Sequence, residues 1–196
     1  AAVNLSTVSD KVVLSYLKTT YDKTEKEPDV TIEGLVKDTD YSVTYSNNVN
    51  AGTATVTIVG MNDYVGTLYQ YFTIEPAKMT GVSVHGYKGT YDESIHTITL
   101  DGVPEGAVVT YASEESGIYS EMKPDRRSAG TTTVYYKIKK ANYEELKGCV
   151  KIVIEAAPIA EKKVELSDVS YVYDGTAKSP NVAIAGMIRG IDFTVS

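Results

Sequence analysis

The run GVPEGAVVTYASEESGIYSEMKPDRRSAG, residues 102–130, holds the densest collection of chemistry-bearing side chains in this sequence. Tyr111, Tyr119, Arg126 and Arg127 are of the types that anchor interfaces, because a rigid ring or guanidinium fork contributes contact area and directed hydrogen bonds. They are the candidate ligand-binding residues. Glu105, Glu114 and Glu115 lie in the same run, and glycoside hydrolysis requires a pair of carboxylates at fixed separation across a cleft. Charge on a loop ordinarily serves solvation, so no catalytic residue is assigned and the chain is read as non-enzymatic.

Other reactive types are thinly spread. Cys149 is the single cysteine, which precludes a disulfide within the chain. A thiol nucleophile needs a base, and no Cys-His spacing supplies one. Cys149 alternates with Val150, Ile152 and Ile154, which places it on an outer face or rim. His85 and His96 have no cysteine partners, so no transition-metal site is expected. Asp38, Asp40, Asn47, Asn48, Asn50, Asn62 and Asp63 carry hard oxygens, yet no stretch has the D-x-[DN]-x-[DN]-G loop with its distal glutamate. GMNDYVGT (60–67) lacks the glycine and lysine order of a phosphate loop. Neither metal nor cofactor is expected.

Charge removes further classes. The net charge is −7, and none of the segments 1–76, 77–157 and 158–196 carries a basic excess. The electrostatic footprint of nucleic-acid binding is missing, and anionic membrane surfaces are disfavoured for the same reason. No apolar run has the length to cross a bilayer. Sixteen tyrosines against two phenylalanines and no tryptophan suit half-wet sheets, where one end of the ring is buried and the hydroxyl stays hydrated.

The elements that would position these residues are strands. Thr53–Val59 alternates Ala54, Val56 and Ile58 with threonines; Tyr41, Val43 and Tyr45 do likewise, as do Val134, Tyr136 and Ile138. Period 2 with β-branched and aromatic residues predicts strands with one wet face. No amphipathic helix is apparent, and ANYEELK (141–147) has room for one turn at most. The chain also repeats itself. KVVLSYLKTTYDKTEKEPDVTIEGLVKDTDYSVT (11–44) aligns without a gap on 163–196, matching Tyr21 to Tyr173, Asp22 to Asp174, Pro28 to Pro180 and Gly34 to Gly186. SAGTTTVYYKIKKANYEELKGCVKIVI (128–154) follows the outline of NAGTATVTIVGMNDYVGTLYQYFTI (50–74).

Three segments follow: 1–76, a divergent 77–157, and 158–196 as the first part of a further copy. Proline in the joints IEPAKM and IEAAPIAEKK ends each ladder and stiffens the connection. The recurring Tyr-Asp pairs assign Asp22, Asp92 and Asp174 to turns, since aspartate bonds backbone two residues on. Gly52 and Gly130 open the long alternating strands and are read as turn glycines. The last segment lacks a counterpart of 50–74. Its open strand edges are expected to be poorly ordered, propped against the middle segment, or paired with another chain.

YDGTAKSPNVAIAG, DTDYSVTYSNN and NAGTATVTIVGMNDYVGT resemble tandem immunoglobulin-like (MBG-type) repeats of Gram-positive cell-surface proteins. The middle segment, with YDESIHTITLDGVPEGAVVTYA and AGTTTVYYKIKKANYEE, is similar to a second flavour of such repeats. Lys23 departs from the pattern, which places glycine there as Gly175 does here. The resemblance implies an all-β fold of tandem small Ig-like antiparallel β-sandwiches with short Pro-containing linkers, the third truncated. It implies an extracellular, bacterial cell-surface setting and a non-catalytic spacer role, with neighbouring repeats of the same chain as partners. The second expectation is an adhesin that binds a host or matrix protein or a glycan through 102–130. Proteins of that kind sometimes form Lys–Asn isopeptide bonds, but spacing pairs no lysine with an asparagine here. Gly-Cys-Val at 148–150 lacks the glutamine that adhesin thioester modules place after cysteine.

Overall fold

In the strand Gly52–Gly60 the side chains of Ala54, Val56 and Ile58 are fully buried, while Thr53 and Val59 face outward. That is the consequence of a two-residue side-chain period on a sheet with one wet face. The computed structural model describes residues 2–196; Ala1, where the first expected segment begins, lies outside them. The chain is all-β, apart from short 3-10 turns at Leu5–Lys11 and Ile159–Glu161.

Gly52–Gly60 pairs antiparallel with Tyr41–Ser46 on one side and Thr67–Glu75 on the other. Lys18–Thr20 closes that four-stranded sheet at its edge, parallel to Thr67–Glu75. The middle segment repeats the order, with Tyr87–Thr90, Leu146–Glu155, Gly130–Lys139 and Val108–Ala112 side by side. Tyr87–Thr90 is again parallel to its neighbour. The expectation of antiparallel sheets is thus corrected at one edge of each. Parallel neighbours require a long connection, and here nearly a whole segment intervenes between the paired strands.

A second, two-stranded layer covers the first sheet. Val12–Leu14 pairs with Val30–Ile32, and Val30 and Ile32 join Ala54, Val56, Ile58, Phe72 and Ile74 in one core. Tyrosine ties the layers together: Tyr41 Oη donates to Val30 O at 3.0 Å, and Tyr45 Oη to Pro28 O at 2.6 Å. Each ring is desolvated while its hydroxyl stays satisfied, which is why tyrosine serves thin sheets so well. The middle segment has its own core around Ile98, Tyr111, Val134 and Ile152.

Leu5, fully buried in the N-terminal core, sits at the start of the Leu5–Lys11 turns, which Asn4 Oδ1 caps by accepting from Ser6 N at 2.9 Å. Turns this short carry no periodic signal, so the sequence pattern did not announce them.

In the C-terminal segment many of the bonds within 12–44 recur, although Phe193 lacks the hydroxyl by which Tyr41 reaches Val30 O. Val164–Leu166 pairs with Val182–Ile184 as Val12–Leu14 does with Val30–Ile32. Asp192 Oδ2 accepts from Ile188 N at 2.7 Å, as Asp40 Oδ2 does from Val36 N. Of its apolar side chains only Ile184 and Phe193 are buried, and Val172 and Tyr173 are almost fully exposed. It lies against the middle segment, where Met187 and Ile191 share a cleft with Tyr91.

Backbone conformation explains the departure at Lys23. Lys23 has φ 75°, Glu93 φ 68° and Gly175 φ 79°, so one left-handed turn residue recurs with different side chains. A non-glycine residue there costs about 1–2 kcal/mol, while glycine loses roughly 0.5–1 kcal/mol more backbone entropy on folding. Lys23→Gly is therefore expected to stabilise the N-terminal segment by about 0.5 kcal/mol, the difference between those terms. Urea unfolding followed by tyrosine fluorescence measures it, and a lower midpoint would show that the Lys23 side chain matters more than its backbone.

Candidate functional site

The four residues singled out in 102–130 do not come together. Tyr111 is 7% exposed, within Val108–Ala112, and its ring belongs to the core of the middle segment. Burial raises its hydroxyl pKa. Tyr119 lies beside a cleft with Glu115, Tyr135 and Lys147, with the Lys137 ammonium 3.9 Å above its ring. Arg126 turns inward on its own loop: Nη1 donates to Thr132 Oγ1 at 3.1 Å and Nη2 to Ala129 O at 2.7 Å, while Nε is buried without a partner among the described residues. Its guanidinium occupies the space where a Cβ on Gly130 would sit, and Gly130 has φ 131°. Gly52, at the matching place in the N-terminal segment, has φ 142°. Arg127 is exposed. The loop tip presents Ile118 and Met122, 96% and 79% exposed.

The aspartates of the Tyr-Asp pairs build a repeated small constellation. Asp22 Oδ1 accepts from Thr24 N at 2.9 Å and Thr24 Oγ1 at 2.6 Å; Asp174 does the same with Thr176. Lys26 and Lys178, four residues on, pair with those carboxylates. Asp92 accepts from Ser94 N at 2.9 Å, and His96 Nε2 stands 2.9 Å from the same oxygen. Each is a turn whose carboxylate is held by the following residues, an arrangement that satisfies local donors and leaves nothing aimed at a ligand.

The Lys178 ammonium and then Thr176 bring the Asp174 carboxyl down to about 2. Lys26 and Thr24 depress Asp22 further, and the His96 ring lowers Asp92. These groups ionise at lower pH folded than unfolded. Their contribution is complete above about pH 4, the unfolded carboxylate range. It is lost as pH falls toward the folded values. A carboxyl-carbon NMR titration is expected to place the Asp174 midpoint near 2, and Lys178→Met to raise it part of the way toward the ordinary range, because the two Thr176 bonds remain; an unmoved midpoint would remove Lys178 as the cause.

Among the described residues, no group of three or more His, Cys, Asp or Glu side chains could hold a metal ion. Cys149 is exposed. Lys26, the buried lysine, has its ammonium engaged by Asp22 and Thr24. Among the described residues, no helix is long and apolar enough to cross a membrane.

A hydrogen-bonded polar site joins the N-terminal and middle segments. Asn142 sits at φ 69° in the turn after Gly130–Lys139, just as Asn62 sits at φ 52° after Gly52–Gly60. Asparagine tolerates that conformation and presents an acceptor and a donor beyond the turn. Asn142 Oδ1 accepts from Ala51 N at 2.9 Å, and its Nδ2 donates to Asn50 Oδ1 at 2.9 Å. The joint residue Ala77 donates through its amide to Asn142 O and accepts from Glu144 N, both at 2.9 Å. Tyr21 meets Tyr143 edge to face with ring centroids 5.6 Å apart. Linker, loop and turn are thereby laced together by backbone amides, the groups least able to adapt.

Fold and site together define an all-β chain in which a hydrogen-bonded contact joins two of its own segments. It matches no protein-family model, and no curated protein matches it.

Proposed function

We propose that this chain is a non-catalytic structural stretch of a bacterial cell-surface protein, a rod of immunoglobulin-like β-sandwich repeats that spaces or displays another domain outside the cell. One observation carries this reading: the joint at Ala77 is bonded on both its N–H and C=O to the next segment, and Asn142 reaches back to Ala51. Each hydrogen bond across the joint, worth about 1 kcal/mol, has to break for the joint to bend, and a spacer requires such resistance. The recurrence of the 12–44 bonds at 164–196 supports the repeat reading, and the acidic net charge of −7 suits a solvated surface. Small-angle scattering is expected to give an elongated particle for the full chain, and a compact globule would refute the spacer.

A second reading, an adhesin for a host or matrix protein or a glycan, is favoured by the exposed Ile118 and Met122 beside Tyr119. Exposed apolar side chains grouped on one loop mark a contact surface. Binding to immobilised matrix proteins or glycans that Tyr119→Ala abolishes would promote it. Undiminished binding by that variant would exclude the loop as the contact.

A further inference from the structure

Between the middle and C-terminal segments lies a cleft of about 270 Å³, walled by Tyr91, Ser128, Ala129 and Ala157 on one side and by Ile191 and Asp192 on the other. The geometry points to this cleft as the docking site for an asparagine-tipped β-hairpin turn, of the kind the chain carries at Asn62 and Asn142.

The near wall matches, residue for residue, the wall that holds Asn142. Tyr91 follows the parallel edge strand as Tyr21 does: their amides donate to Glu155 O and Glu75 O. Ala129 precedes Gly130 as Ala51 precedes Gly52, and both glycines pair with the closing isoleucine of the last strand. Ser128 stands where Asn50 does, and Ala157 follows Glu155 by the same two residues that separate Ala77 from Glu75. At the first joint, Ala51 N and Ala77 N bond the asparagine, and Tyr21 packs on the residue after it. At the second, Ala129 and Ala157 line open space.

The far wall matches the other side of such a turn. Residues 187–192 correspond to 35–40, and their internal bonds are the same: Gly190 N donates to Phe193 O as Asp38 N does to Tyr41 O. In the N-terminal segment this loop grips the Asn62 turn, with Thr39 O accepting from Asn62 Nδ2 at 2.7 Å and Asp40 O from Met61 N at 2.8 Å. Ile191 O and Asp192 O are the counterparts here. Both walls of the cleft are therefore walls that, elsewhere in this molecule, enclose a left-handed asparagine.

Electrostatics agrees with such an occupant. Amide donors on one side and carbonyl acceptors on the other match a neutral carboxamide, which offers one acceptor and two donors. The Asp192 Oδ2 accepts from Ile188 N at 2.7 Å, within its own loop. Arg126, a ligand-binding candidate by its residue type, has a bracing role here: by bonding Ala129 O it holds the loop whose amide the occupant needs. The inference rests on the spacer reading only in treating the contact between segments as a repeated one.

The test joins a copy of residues 45–75 after Ser196, so that its Asn62 turn is available to the cleft. Amide hydrogen exchange at Ala129 and Ala157 is expected to slow about ten-fold, the effect of one ordinary hydrogen bond. Changing the added asparagine to glycine is expected to restore fast exchange at Ala129 alone, because Ala157 bonds the turn's backbone carbonyl. A cyclised peptide of the same residues, added to the natural chain, is the second probe. If neither probe slows both amides, or if Val182 and Ile184 gain protection while Ala129 and Ala157 stay fast, the docking site is refuted. An elongated particle in scattering would leave the spacer reading standing in that event.

Discussion

Phe72→Ala is expected to cost about 3–5 kcal/mol, enough to unfold much of the N-terminal segment at ambient temperature. Phe72 is 2% exposed in Thr67–Glu75 and meets Tyr16 edge to face, ring centroids 5.9 Å apart. It packs among Val56, Ile58 and Ile74 from the sheet and Val30 and Ile32 from the covering layer, so its removal opens a void between the layers. A small segment has little other apolar area to compensate. Tyr71→Ala makes the matched control: the neighbouring side chain points to the wet face, is 58% exposed, and its loss is expected to change stability by less than about 0.5–1 kcal/mol. Urea unfolding with amide exchange at Val56 and Ile58 measures the effect. The middle segment is expected to keep protection at Val134 and Ile152, because its core is a separate cluster. Equal costs for the two variants would place Phe72 outside the core.

Asn142→Gly is expected to release the N-terminal and middle segments from each other while both stay folded. Glycine takes φ 69° without strain, so the turn survives and only the two side-chain bonds disappear. Those bonds are worth roughly 1–3 kcal/mol together, and their loss is expected to speed amide exchange at Ala51 by about ten-fold or more. In backbone NMR relaxation the two segments are expected to tumble as one body in the natural chain and separately in the variant. Asn142→Asp gives a graded result, since it keeps the acceptor for Ala51 N and replaces the donor that faces Asn50 Oδ1 with a second acceptor. A variant that still tumbles as one body would assign the rigidity to the Ala77 bridge and the Tyr21–Tyr143 contact instead.

The alternating stretches determined, by themselves, that this is a β protein and which side chains are inside. Ala54, Val56 and Ile58, or Val134 and Ile138, need no tertiary information, because a strand's period of two assigns faces as soon as one face is buried. The carboxylate turn at Asp22 and Thr24 is equally local, with donor and acceptor two residues apart. The parallel edges were not legible, since a strand does not carry the sense of a partner some fifty residues away. Nor was the fate of 102–130: Tyr111 and Tyr119 are the same residue type eight positions apart in sequence, and only packing sends one into the core and leaves the other under Lys137. Asn142 lies in a run that reads as an ordinary turn. Its acceptor meets the amide of Ala51, 91 residues earlier. The tertiary structure alone brings those atoms together, because a hydrogen bond between two loops leaves no period or spacing in either.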